Sequence, residues 1–232
     1  MRILEFLKPG YIEQSQLNPE IWQDSNNIKP EIKNKIIEIA AHFKDFVDIN
    51  FPVLDIVITG GQTSQFYTDS SDLDIHLITD FNKIKCDQEV AELFTTKKSL
   101  YKKNYDIKIK GIEVELYVED LKMPAVGGSF SLIKDKWIRP PTTPSQKIDK
   151  EKISKLSLEF SKKIIKSLST DNLNNLKQVK ELIWSYRKLG LAKQGEYGTA
   201  NLVFKTLRNS GILQKLIDRI RELENQQLSI DQ

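Results

Sequence analysis

Apolar residues first recur at helical spacing at Ile32, Ile36, Ile39, Ala40, Phe43 and Val47, one stripe of an amphipathic helix that starts at Lys29-Pro30 and ends near Asn50-Phe51-Pro52. Pro30 suits a first turn, where its missing amide is not needed. The period then shortens. Val53 to Thr59 is a β-branched run stopped by Gly60-Gly61, and Asp72 to Ile78 is a second, so the two are expected to be neighbouring strands. Asp87 to Tyr101 reads as a helix. Tyr105 to Ile109 and Ile112 to Val118 flank Lys110-Gly111 as a hairpin, and Phe130 to Ile133 with Trp137 to Arg139 form another around Lys134-Asp135-Lys136.

Pro140, Pro141 and Pro144 then punctuate the chain and mark a domain boundary, because proline lacks the amide donor and resists helix. Beyond them the pattern is helical: Asp149 to Leu168, Leu173 to Leu189, and Thr199 to about Gln227, with Gly190, Gly195 and Gly198 in the break between the last two. The expected organisation is an N-terminal surface wrap (1–28), a sheet-containing domain (29–144) and a basic helical domain (145–232). The fold class is α+β: a small mixed sheet with helices on one side, joined to a helical C-terminal domain.

Charge separates the halves. Residues 1–144 carry 18 Lys/Arg against 22 Asp/Glu, a net of −4, and residues 145–232 carry 17 against 10, a net of +7. A carboxylate-rich half suits divalent cations, and a basic half suits polyphosphate or nucleic acid, although solvated lysine-rich helices have the same composition. The apolar stretches fall short of the roughly 20 residues that span a bilayer, and the N-terminus is too short in its apolar part for a signal peptide. A cytoplasmic protein without membrane partners is expected. One cysteine, Cys86, and two histidines offer no zinc spacing, so any metal is expected to be held by oxygen.

The chemistry concentrates between Thr59 and Leu77. Alternation in the second strand turns Asp72 and Asp74 to one face and Leu73, Ile75 and Leu77 to the core. Two parallel carboxylates repel unless a cation sits between them, and hard ions such as Mg²⁺ take such oxygens together with phosphate oxygens. A strand ending in Gly60-Gly61 lets the backbone approach a phosphate closely. On the later strand, Glu113 and Glu115 share a face; Glu115 is the more central, between Val114 and Leu116, and Glu113 lies nearer the turn.

Gly60-Gly61, with Asp72 of Ser71-Asp72-Leu73-Asp74 twelve positions after Gly60, resembles the nucleotidyltransferase superfamily related to DNA polymerase β. The chain departs from many members in the middle of the motif, at Ser64 and Gln65-Phe66, and the resemblance covers roughly residues 53–118. It implies two Mg²⁺ ions, or Mn²⁺ in their place, held by Asp72 and Asp74 and bridged by a third carboxylate, Glu115 by preference over Glu113. It implies a nucleoside triphosphate as substrate, near Gly60, Gly61 and Ser64, and transfer of its nucleotide to a hydroxyl with release of pyrophosphate.

Lys205 and Arg208, in a cluster with Arg187, Lys188 and Lys193 around the Gly190 to Gly198 break, are candidates for phosphate contact or for a solvated face. His76 shares the face of the aspartates as a supporting or packing residue, and Trp184, Tyr186 and Leu189 read as core. Gly127-Gly128-Ser129-Phe130-Ser131 reads as a connection. The basic half favours RNA as acceptor. The alternatives are a small-molecule or protein acceptor, a non-catalytic antitoxin-like or nucleotide-sensing member, and a metal-dependent nuclease, which has no need of the paired glycines.

Overall fold

The computed structural model describes residues 13–69, 71–84, 88–122, 127–141 and 147–230. The first helix, α1 (Pro30–Val47), forms where the apolar stripe lies, and Ile32, Ile36, Ile39, Ala40, Phe43 and Val47 are all buried. Each of these side chains other than Ala40 contributes about 1.5–3 kcal/mol on leaving water. Asp48 in the left-handed region (φ 56°) ends the helix, its amide donating to Asp45 O.

The strands β1 (Asp55–Thr59), β2 (Leu73–Thr79), β3 (Lys108–Ile109), β4 (Ile112–Asp120), β5 (Ser129–Ser131) and β6 (Lys136–Arg139) form one mixed sheet in the order β3-β4-β2-β1-β5-β6. β2 and β4 run parallel and the other neighbours antiparallel. A parallel pair needs a long crossover, and α2 (Gln88–Asn104) lies within it. Burial alternates strictly along β2. Leu73, Ile75 and Leu77 join Ile36, Phe43, Val114 and Leu116 in one core, which leaves Asp74 and His76 on the opposite face. The β3–β4 hairpin turns at Lys110 (φ 52°) and Gly111 (φ 80°), the paired left-handed residues of a tight two-residue turn.

The described residues divide into two compact units, this sheet unit (13–141) and a helical unit (147–230). Architecture and sequence agree on an α+β chain. The boundary prolines lie partly outside the described residues, as does Cys86. The segment ahead of α1 does more than cover a surface: Leu17, Ile21, Trp22 and Ile28 are buried in the same core as the sheet, and Trp22 bridges Ile28. Irregular backbone of this kind has no periodicity to read.

The helical unit contains α3 (Lys150–Thr170), α4 (Leu173–Gln194), α5 (Thr199–Asn209) and α6 (Ile212–Leu228). Asp149 and Asn172 cap α3 and α4, accepting from the amides of Lys152 and Asn175. Two boundaries differ from the sequence reading. Gly190 does not break α4 but lies inside it, at a close helix crossing: a Cβ there would stand 2.2 Å from Ala200 Cβ on α5. The expected helix from Thr199 onward is two helices, interrupted at Ser210 and Gly211, the latter at φ 74°. Among the described residues no helix is long and apolar enough to cross a membrane.

Gly190→Ala is expected to destabilise the helical unit by about 1–3 kcal/mol through this overlap, against a helix-propensity gain of about 1 kcal/mol. In Gly190→Ala/Ala200→Gly the nearest remaining neighbour is Ala200 Cα at 3.5 Å, an ordinary contact, so thermal unfolding should recover most of the loss. Failure of the double variant to recover would show that the crossing is not what demands the glycine.

Candidate functional site

β1 ends at Thr59, and Gly60 turns the chain at φ 77° into a single 3-10 turn, Gly60–Thr63. Thr59 pairs with Asp74 across the antiparallel β1–β2 ladder. The Asp74 carboxylate consequently lies against the turn: a Cβ on Gly60 would stand 2.0 Å from Asp74 Oδ2. The position demands glycine twice over, for the left-handed backbone and for the space. A Cβ on Gly61 would already lie 3.0 Å from both Cβ and Oγ of Ser71.

The turn is braced from both sides. Thr63 Oγ1 lies 2.8 Å from Gly60 O and 2.9 Å from Gly128 O. Gln62, almost fully buried, donates through Nε2 to Ser71 O (2.7 Å) and accepts at Oε1 from Asn18 Nδ2 (2.9 Å), and its carbonyl accepts from Trp22 Nε1 (2.7 Å). Ser64 is buried and its Oγ accepts from the Phe66 amide, which commits that hydroxyl to the turn.

On the other side of β2, the parallel register sets Asp74 opposite Glu115. Glu113 is exposed and pairs with Lys108 at the sheet edge. Of the two glutamates, Glu115 therefore stands level with Asp74. Asp72 sits half-buried just ahead of β2. Burial pushes the Asp74 carboxyl up to about 6, with the fields of Glu115 and Asp72 adding to the shift and those of His76 and Lys98 opposing it. Among the described residues, no Lys or Arg lies within ion-pair distance of Asp74; Tyr117 Oη, at 3.4 Å from Oδ1, is its hydrogen-bonding neighbour.

Glu115 is held differently. Lys98 Nζ (3.0 Å) and Tyr117 Oη (2.8 Å) both donate to Oε2, and Lys102 Nζ donates to Oε1. Burial alone would raise this carboxyl, but the hydrogen bonds from Lys102, Tyr117 and Lys98 outweigh it and hold the group at about 2. Tyr117 is packed on by a cation and a ring: Lys98 Nζ lies 3.3 Å from its centroid and His76 stacks on it at 4.4 Å. His76 bridges outward, with Nε2 2.9 Å from Thr59 Oγ1 and Nδ1 3.1 Å from Glu119 Oε2.

Asp74 and Glu115 thus share one sheet face, with Asp72 just ahead of β2, yet among the described residues no three Asp, Glu, His or Cys side chains converge tightly enough to enclose an ion. The donors fit a hard divalent cation in kind. They are carboxylate oxygens, and Asp74 is half-buried beside two like charges, with no Lys or Arg at ion-pair distance among the described residues. Completing a three-carboxylate set requires Glu115 to leave Lys98 and Lys102. Lys205 and Arg208 belong to α5 of the helical unit, half-buried and exposed respectively.

Sequence reasoning missed Lys98, Lys102, Tyr117 and the bracing by Asn18, Trp22 and Gln62. Two signals were present: Lys98 and Lys102 are four apart on one helix face, and Tyr117 follows Glu115 by two on a strand. Comparison with protein-family models, curated proteins and solved structures finds no match to the chain.

Gly60→Ala is expected to cost about 1–3 kcal/mol through backbone strain and displacement of Asp74; an unchanged denaturation midpoint would contradict the seating of Asp74 on the turn. The raised Asp74 carboxyl also sets a pH dependence. Its ordinary value is 3.8 and its folded value about 6, so the folded state binds the extra proton between these limits. The contribution of Asp74 to stability therefore falls as pH rises from about 4 to about 6, by up to about 3 kcal/mol, and is level above. Glu115, depressed from 4.5 to about 2, acts oppositely, losing its contribution as pH falls below about 4.5. Thermal melts of Asp74→Asn in metal-free buffer should lack the decline between pH 4 and 6; a parallel curve in the variant would contradict the assignment.

Proposed function

We propose that the chain is a metal-dependent nucleotidyltransferase of the type related to DNA polymerase β, moving a nucleoside monophosphate from a nucleoside triphosphate to a hydroxyl acceptor. The observation that carries this reading is the β1–β2–β4 register, which seats Asp74 against Gly60 and opposite Glu115. Asp72 and Asp74 would hold Mg²⁺ or Mn²⁺, with Glu115 as third ligand once released from its lysines. Bound there, the ion would lower the pKa of the acceptor hydroxyl and neutralise phosphate charge.

The acceptor oxygen forms a bond to the α-phosphorus, the bond between the α-phosphorus and its bridging oxygen breaks, and pyrophosphate leaves. Glu115 would take the hydroxyl proton only once released from Lys98 and Lys102, since their hydrogen bonds hold it at about 2 and make it a weak base. Gly60 and Gly61 supply a turn without side chains, over which a phosphate can lie close to backbone. RNA is the preferred acceptor because residues 145–232 carry a net +7.

A second reading is favoured by a specific observation: Glu115 is ion-paired to both Lys98 and Lys102. A site whose third carboxylate stays paired in this way binds a nucleotide without turnover, as a nucleotide-sensing protein does.

Incubation with each α-labelled nucleoside triphosphate, Mg²⁺ or Mn²⁺, and RNA, protein and small-molecule fractions of a cell extract separates these readings. Transfer predicts label in one acceptor class with stoichiometric pyrophosphate, lost at least about a hundredfold in Asp74→Ala and Glu115→Gln. Bound but untransferred nucleotide supports sensing, and shortened RNA supports a nuclease. Full activity in Asp74→Ala would overturn the site assignment.

A further inference from the structure

In the helical unit one arginine is held in place by two neighbours on the adjoining helix. Arg187 on α4 reaches across to α5, where its guanidinium carbon lies 4.2 Å from the Phe204 ring centroid. Its Nε donates to Asn201 Oδ1 at 3.1 Å. Asn201 is 2% exposed and spends its amide on Glu196 O at 2.7 Å. That fixed amide holds the arginine by its Nε, and the stacked ring restrains its plane, which leaves the two terminal nitrogens as the fork available to a ligand.

Asn201, Phe204, Lys205 and Arg208 fall at i, i+3, i+4 and i+7, one face of α5. Arg208 is therefore a turn beyond the ring on which Arg187 lies. Among the described residues, neither Arg187 nor Arg208 has a carboxylate within ion-pair distance. Burial, and then the like charge of Arg208, push the Arg187 guanidinium below its usual range. Two guanidiniums whose charges bear on each other, one of them half-buried and neither with a carboxylate at ion-pair distance among the described residues, are relieved by an anion placed between them.

We propose that Arg187 and Arg208, with Lys205 on the same face of α5, form a binding site for phosphate groups. Guanidinium forks match phosphate oxygens in pairs, and a ligand with several adjacent phosphates would engage both arginines. The phosphates come from the polyphosphate of a nucleotide or from a nucleic-acid backbone. The site extends the nucleotidyltransferase reading, resting on it for the identity of these ligands, but it is tested without turnover or metal, so that either can fail alone.

The full chain in EDTA is titrated in three arms, with inorganic triphosphate and ATP by calorimetry and with a fluorescein-labelled oligouridylate by anisotropy. At least one arm should bind, and Arg208→Gln should weaken that binding about tenfold or more. Arg187→Lys, which keeps the charge but loses the fork and the Nε contact, should weaken it comparably. Lys188→Gln, an exposed neighbour with the same change of charge, should change it less than about twofold. Losses confined to triphosphate and ATP identify nucleotide polyphosphate as the ligand, and losses confined to the oligonucleotide identify the backbone. Binding in no arm overturns the proposal, as does a Lys188→Gln loss equal to that of Arg208→Gln, since the effect would then be net charge alone. Arg208→Gln is exposed and should leave the melting temperature unchanged, so its result stands even where the Arg187 variant unfolds.

Discussion

The sheet unit depends on a single close approach, the Asp74 carboxylate standing where a side chain on Gly60 would be. Nothing but glycine satisfies both the left-handed backbone and the vacant Cβ position. The antiparallel β1–β2 register that aligns Thr59 with Asp74 also faces Leu73, Ile75 and Leu77 into the core. A slip by one residue would turn the carboxylate inward and three apolar side chains out. Core packing and the site are thereby fixed by the same register, and the hydrophobic side of β2 sustains the electrostatic cost of its polar side.

That cost is visible in how the two central carboxylates differ. Glu115 is surrounded by donors and ionises easily; Asp74, on the neighbouring strand, is half-buried beside two like charges and ionises reluctantly. Low dielectric sharpens the contrast, since a buried charge without a partner is penalised far more than one at the surface. The network around Tyr117 joins them, one hydroxyl lying near both carboxylates and one ring packed by His76 and Lys98. A cation arriving at Asp74 would relieve the unpaired charge and compete with the lysines for Glu115.

Much of this was legible in the chain because periodicity reports local geometry. The α1 stripe is buried residue for residue, the alternation of β2 is strict, and the hairpin turn at Lys110-Gly111 has the two left-handed residues its dipeptide suggests. The β2–β4 register sets Glu115, the more central of the two glutamates in its apolar run, level with Asp74, while Glu113 pairs with Lys108 near the hairpin turn. Long-range features were not legible. The pairing of Lys98 and Lys102 with Glu115 depends on where α2 lies along β4, and the bracing of the turn by Asn18 and Trp22 depends on an irregular segment returning to the sheet. Gly190 reads as a helix breaker until Ala200 is seen against it. The split at Ser210-Gly211 is masked by apolar residues that keep helical spacing on both sides.

The central claim is that Asp72 and Asp74 form a divalent-cation site that uses the unpaired charge of Asp74. Its most direct test is electron paramagnetic resonance of Mn²⁺ titrated into the full chain with a non-hydrolysable nucleoside triphosphate. Saturable protein-bound Mn²⁺, beyond what the nucleotide binds alone and lost in Asp74→Asn, is the result this account requires. Equal Mn²⁺ binding by the wild-type and Asp74→Asn chains would contradict it.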